Sequence, residues 1–270
     1  MANPVLNEKA FNTAAAEERA GWAAPDAATA YHQPISDGPI SPYRTETMTV
    51  DGVISASAVL FVILLASGVI GWLSVRGSAA TGQTFPGWII APLLIGLGLV
   101  IASALRPKIS PITAPFYALA EGLVVGAISH VYNIQWHGIA AEAALGTAGV
   151  FATMLFLYST RLVRVSDKMR KVVIAATMGV IVIYAVALIV RLVSGSATFI
   201  NGSSGFSIVL SLVIVGVAAF NLMLDFDLIE RSARSGAPKY MEWYAGLGLL
   251  VTVVWLYLEL LRLLSKLRER

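Results

Sequence analysis

Residues 206–229 read FSIVLSLVIVGVAAFNLMLDFDLI, with no charged side chain until Asp225 and Asp227 at the far end. A helix rises ~1.5 Å per residue, so about 20 apolar residues cross the ~30 Å hydrocarbon core of a bilayer, and this stretch is long enough to do so. A helix also satisfies its backbone hydrogen bonds within one segment, as a spanning element must. Working outward, the pattern recurs at 52–75, 88–105, 112–132, 139–159, 172–193 and 243–263, which makes seven predicted spans. Polar breaks separate them: Arg76-Gly77-Ser78, Arg106-Pro107-Lys108, Asn133 to His137, Arg161 to Lys171, Gly195 to Gly205 and Arg231 to Lys239. The expected fold is an all-α integral membrane protein, a seven-transmembrane-helix bundle.

Composition points the same way. The 270 residues are 57% apolar and 13% charged, with a mean hydropathy of +0.76, against roughly 45–50% and about 25% in a soluble domain. The absence of cysteine excludes disulfides, thiolate metal sites and cysteine nucleophiles. Residues 1–50 mix Ala, Pro, Ser and Thr with scattered charge and have no long apolar run, so they are expected to be a disordered tail. They lack the basic and apolar regions of a cleaved signal peptide, which leaves targeting to the first span. The transmembrane domain is expected over 51–265, followed by a basic tail at 266–270. Trp72, Trp88, Tyr132, Trp136, Tyr158, Trp243 and Tyr244 stand near span ends, where interfacial anchors are expected.

Lysine and arginine set the orientation. Loops on the N-terminal side hold Arg106, Lys108, Arg161, Arg164, Lys168, Arg170, Lys171, Arg231, Arg234 and Lys239; the opposite loops hold only Arg76 and Arg191. The positive-inside rule places the N-terminus in the cytoplasm of a multi-pass cell-membrane protein. Seven spans carry the C-terminus across, whereas its basic residues Arg262, Lys266, Arg268 and Arg270 favour the cytoplasm, as a last helix that stops short or re-enters would allow.

A lone charge at mid-bilayer costs on the order of 3 kcal/mol, so acids within spans are the functional candidates. Glu121 has no basic residue one turn away, and Gly122 and Gly126 beside it make a small-residue face for helix packing. Asp225 shares its face with Asn221 only, whereas Asp227 has Arg231 at i+4 and Glu259 has Arg262 at i+3 as local ion-pair partners. Asp225 and Asp227 are two residues apart, about 200° around a helix, and so point in nearly opposite directions. Glu142 and Glu242 open their helices, where a carboxylate suits the positive end of the dipole. A hairpin centred near residue 235 levels Asp225 with about 243–245, which makes Glu242 an alternative partner for it.

Three segments resemble one family. They are Ala114-Pro-Phe-Tyr-Ala-Leu-Ala-Glu121-Gly-Leu-Val-Val-Gly126, Leu224-Asp-Phe-Asp-Leu-Ile-Glu230 and Leu256-Tyr-Leu-Glu259-Leu-Leu-Arg-Leu-Leu. In this order they resemble the bacterial branch of the Bax inhibitor family over about 50–265, with the tail outside. The resemblance implies a seven-helix bundle with the last helix central, acting as a proton-sensitive calcium leak channel. It implies that the family's gating pair of acids falls on Asp225 and Glu259, that Asp227 stands at an amide position, and that Glu121 matches the family's Glu-Gly-Leu.

Two carboxylates within a few Å in low dielectric cannot both ionise easily and share a proton; when charged they are hard oxygen ligands suited to calcium. The expectation is a pH gate and ion pathway at Asp225, Glu259, Asp227 and Glu121, with Asp225 and Glu259 as calcium ligands, no cofactor, and the lipid bilayer, calcium and protons as partners. The rivals are a proton-coupled small-solute transporter and a non-transporting regulator that binds other membrane proteins. Enzyme readings are disfavoured: Gly202-Ser203-Ser204-Gly205 mimics an intramembrane serine protease, but His32, His130 and His137 all precede it, and residues 243–263 contain no lysine for a retinal Schiff base. His130 and His137 read as solvated interfacial residues, and the basic loops as topology signals and lipid contacts rather than nucleic-acid patches.

Overall fold

A computed structural model describes residues 47–75, 86–163, 165–194 and 204–269. Residues 1–46 of the tail, the Arg76-Gly77-Ser78 break, Arg164, the Gly202-Ser203 stretch and Arg270 lie outside the described residues. All seven expected spans are present as helices: α1 (Val50–Ser74), α2 (Ile90–Leu105), α3 (Ser110–Gln135), α4 (Ile139–Ser159), α5 (Asp167–Ser194), α6 (Gly205–Arg234) and α7 (Met241–Arg268). Each is long and apolar enough to cross a bilayer, α2 together with the turn Gly87–Ile89 before it, and the protein is a helical multi-pass membrane protein. The 3-10 turns Gly87–Ile89 and Pro107–Ile109 lead into α2 and α3.

Hydropathy places the apolar centres well and the helix ends too early. α6 and α7 each run five residues past the predicted edge, because their polar last turns bond to neighbouring helices instead of entering a loop. The α6–α7 turn is therefore centred beyond residue 235, with Gly236 at φ +73°, a conformation that suits glycine.

α7 packs against α1, α3, α4 and α6. Met241, Tyr244, Ala245, Leu247, Leu250 and Leu256 are buried around its circumference. This central position corrects the reading of Tyr244 as an interfacial anchor: it is fully buried in a cluster with Met48, Val53, Leu60 and Tyr117. α1 and α3 meet through glycines, as the Gly122/Gly126 spacing predicts. A methyl group on Gly122 would overlap Ser67 Oγ and the Leu64 carbonyl, and one on Gly126 would overlap the Gly68 backbone.

α7 also joins the two ends of the bundle. At its start, Glu242 Oε1 accepts from the Thr49 N–H at 3.0 Å and hydroxyl at 3.1 Å, and the Met48 N–H donates to the Ala237 carbonyl at 2.7 Å. At its other end, Arg268 pairs with Glu142 at 2.5 Å and donates to the His137 carbonyl at 3.0 Å. The last helix therefore neither stops short nor re-enters. Arg268 is paired and Lys266 is buried, so these basic residues serve contacts within the protein.

Candidate functional site in a polar seam

Polar and charged side chains of α5, α6 and α7 meet along one seam. Arg170, Thr177 and Tyr184 recur every seven residues on α5, which keeps them on one face. At one end of the seam, Asp227 Oδ2 takes Arg170 Nη2 at 3.0 Å and Arg231 Nη2 at 2.7 Å. The local Asp227–Arg231 pair expected from the spacing is present, and Arg170 adds a second cation from α5. Farther along, Asn221 Nδ2 donates to Thr177 Oγ1 at 2.9 Å. Asn221 Oδ1 has no hydrogen-bond partner among the described residues.

Glu259, 2% exposed, occupies the next level. Its Oε1 accepts from the Tyr184 hydroxyl at 2.5 Å, and that hydroxyl accepts from Arg262 Nη1 at 2.5 Å. Arg262 closes the triangle with a 3.4 Å ion pair to Glu259 and lies 5.1 Å above the Tyr184 ring. The expected i+3 pair is thus present, and Tyr184 from another helix completes it. Beyond it, the Lys266 ammonium donates to Ser211 Oγ at 2.7 Å and to the Ser207 carbonyl at 3.3 Å.

The bond from Lys266 to Ser211 fixes the register of antiparallel α6 and α7. Counting fourteen residues along each helix brings Asp225, 3% exposed, level with about Thr252. At ~1.5 Å per residue, Glu259 then lies about 10 Å along the axis from Asp225, and Glu242 about 15 Å the other way. Asp225 and Glu259 thus lie at levels about two helical turns apart, Asp225 one turn along α6 from the seam residue Asn221. The levelling of Asp225 with 243–245 gives way because α6 continues to Arg234. Glu242 stands in the first turn of α7, as expected, and there holds Thr49, so it also ties α7 to α1.

Glu121 is on another face. It stands half-buried beside Gly96 of α2 and Tyr117, outside the seam. His130 is not a simply solvated histidine: its ring stacks on Trp72 at 4.7 Å, and Nδ1 lies 2.6 Å from the Trp72 carbonyl. That carbonyl is in the last turn of α1 and also accepts from the Val75 N–H at 3.4 Å. Among the described residues, no three His, Cys, Asp or Glu side chains group as a metal site.

The family model described as Bax inhibitor 1 like matches residues 3–269. The chain belongs to the Bax inhibitor 1 like family. The match begins within the tail, so this Bax inhibitor 1 like relationship extends beyond the motif-bearing region 50–265. No curated protein and no solved structure matches the chain.

In this Bax inhibitor 1 like chain, hydropathy and spacing expose both deeply buried acids, Asp225 and Glu259, but not the roles of Tyr184, Thr177, Arg170 and Lys266. The seven-residue spacing on α5 was the available signal for the first three. Hydropathy falls after residue 263 and puts Lys266 in the basic tail, yet α7 continues to Arg268 and buries it.

Proposed function

We propose that this Bax inhibitor 1 like protein is a pH-sensitive calcium leak channel of the cell membrane, with a cytoplasmic N-terminus, no cofactor and no enzymatic activity. The observation that supports this reading is the burial of Glu259 in the polar seam and of Asp225 beside it. An ionisable group at bilayer depth costs on the order of 3 kcal/mol, so buried acids along one interface argue for moving charge. The rival transporter and regulator readings have no comparable support.

Deprotonated, Asp225 is a hard oxygen ligand that attracts calcium; protonated, it carries no charge to do so. Glu259 Oε2, with no hydrogen-bond partner among the described residues, offers a second oxygen to a passing cation. Its Oε1 stays with Tyr184 and Arg262, which hold that level of the seam closed. Asp227, paired with Arg170 and Arg231, fastens α5 to α6 at the other end. Glu121 and Glu242 do not line this path. Calcium enters as a permeant ion.

The sign of the pH effect follows from the acids. Proton loss adds negative charge to the seam, so calcium flux rises with pH and is lost on acidification. Purified protein in liposomes loaded with a calcium dye, assayed over a pH series, tests this. Asp225→Asn is expected to flatten the pH dependence; an unchanged dependence removes Asp225 from the role, and no flux at any pH removes the channel reading.

A further inference from the structure

Lys266 has no part in the mechanism above. Lys266 is 3% exposed, and among the described residues its ammonium bonds to neutral oxygens, the Ser211 hydroxyl and the Ser207 carbonyl. Its charged neighbours are Arg262, Glu259 and Glu269, all from α7 or its end. α5 adds the neutral Tyr184, already bonded to Arg262 and Glu259. Among the described residues, the half-buried Arg262 and the buried Lys266 stand here beside the buried Glu259, with Glu269 exposed at the helix end. An ammonium held by a hydroxyl and a carbonyl occupies the kind of oxygen-lined position that an alkali cation takes.

We infer that Lys266 is a tethered cation at the α7 C-terminal end of the seam that holds the resting leak low and discriminates against divalent ions. The inference rests on the permeation reading and adds a selectivity element to it. Coulomb repulsion scales with the charge of the entering ion, so at a given distance Lys266 opposes calcium twice as strongly as potassium, and burial strengthens the effect. Without it, the Glu259–Arg262 pair remains as the ion pair at this level of the seam.

The test compares calcium and potassium flux through liposomes carrying the full chain. Lys266→Gln keeps an N–H donor for Ser211 and removes the charge. It is expected to raise calcium flux about tenfold and to raise calcium over potassium severalfold, since the divalent ion gains more from losing the repulsion. A merely structural staple would change both ions alike.

The chain has no cysteine, so Lys266→Cys provides a single thiol and a second route to the same answer. 2-Aminoethyl methanethiosulfonate forms a disulfide with that thiol, releasing methanesulfinate, and restores an ammonium; the ion ratio is expected to return toward that of the unaltered protein. Methyl methanethiosulfonate adds a neutral group and is expected to leave the ratio high. If both variants melt normally and keep the original ratio while the unaltered protein conducts with pH dependence, the role of Lys266 is overturned and the channel reading stands. If neither the unaltered protein nor the variants conduct at any pH, both fall.

Discussion

The Tyr184 hydroxyl donates to Glu259 Oε1 at 2.5 Å while accepting from Arg262 at 2.5 Å. One neutral side chain from α5 thus stands between a buried acid and its own cation on the central helix. Glu259 and Arg262 are three residues apart and meet directly at 3.4 Å, so Tyr184 is what recruits α5 to the pair.

Removing that hydroxyl should loosen α5 from α7. Tyr184→Phe leaves Glu259 Oε1 with only the longer contact to Arg262, and an under-satisfied buried acceptor costs about 1–3 kcal/mol. Thermal melting in detergent should show a lower midpoint than for Tyr158→Phe, whose lost partner Glu230 keeps Arg234 and is more exposed.

The Asp227 cluster should divide unequally between its two arginines. Arg170 comes from a different helix and is half as exposed as Arg231, at 22% against 44% for the side chain. Exposed i,i+4 pairs contribute about 0.3–0.5 kcal/mol. Arg170→Ala should therefore lower the melting temperature more than Arg231→Ala, and equal losses would show that α5 gains little from the contact.

Glycines on the α1–α3 face should not tolerate a methyl group. At Gly126 it would land on the Gly68 backbone, whereas at Gly98 and Gly149 nothing lies within 4 Å. An open helical Gly→Ala change is worth about 1 kcal/mol in favour of the helix. Gly149→Ala is expected to hold or raise the melting point and Gly126→Ala to lower it or abolish folded yield, which expression and melting assays decide.

Thr49 serves two elements. Its hydroxyl accepts from the Gly52 N–H at 2.9 Å as the α1 N-cap and donates to Glu242. Thr49→Val removes both bonds and keeps the shape, and loss of a cap alone costs about 0.5–2 kcal/mol. Thr49→Ser keeps both and should melt near the unaltered protein, so a deficit equal to that of the valine variant would point to lost packing instead.

The sequence by itself determined the solvent and the secondary structure. Crossing hydrocarbon requires long apolar runs, and runs such as 206–229 are visible without any knowledge of neighbours. It also exposed Asp225, Glu259 and the pairs Asp227–Arg231 and Glu259–Arg262, because one turn of helix is a local relation that spacing reveals. Tertiary structure alone decided which helix faces which. That Tyr184 reaches Glu259, that Arg170 reaches Asp227, that Glu242 holds Thr49 and that Glu121 looks toward α2 all depend on helix rotation and axial register, and apolar composition is nearly indifferent to both. The separation of Asp225 from Glu259 belongs to the same class: it follows from where α6 ends and how Lys266 aligns α7 against Ser211.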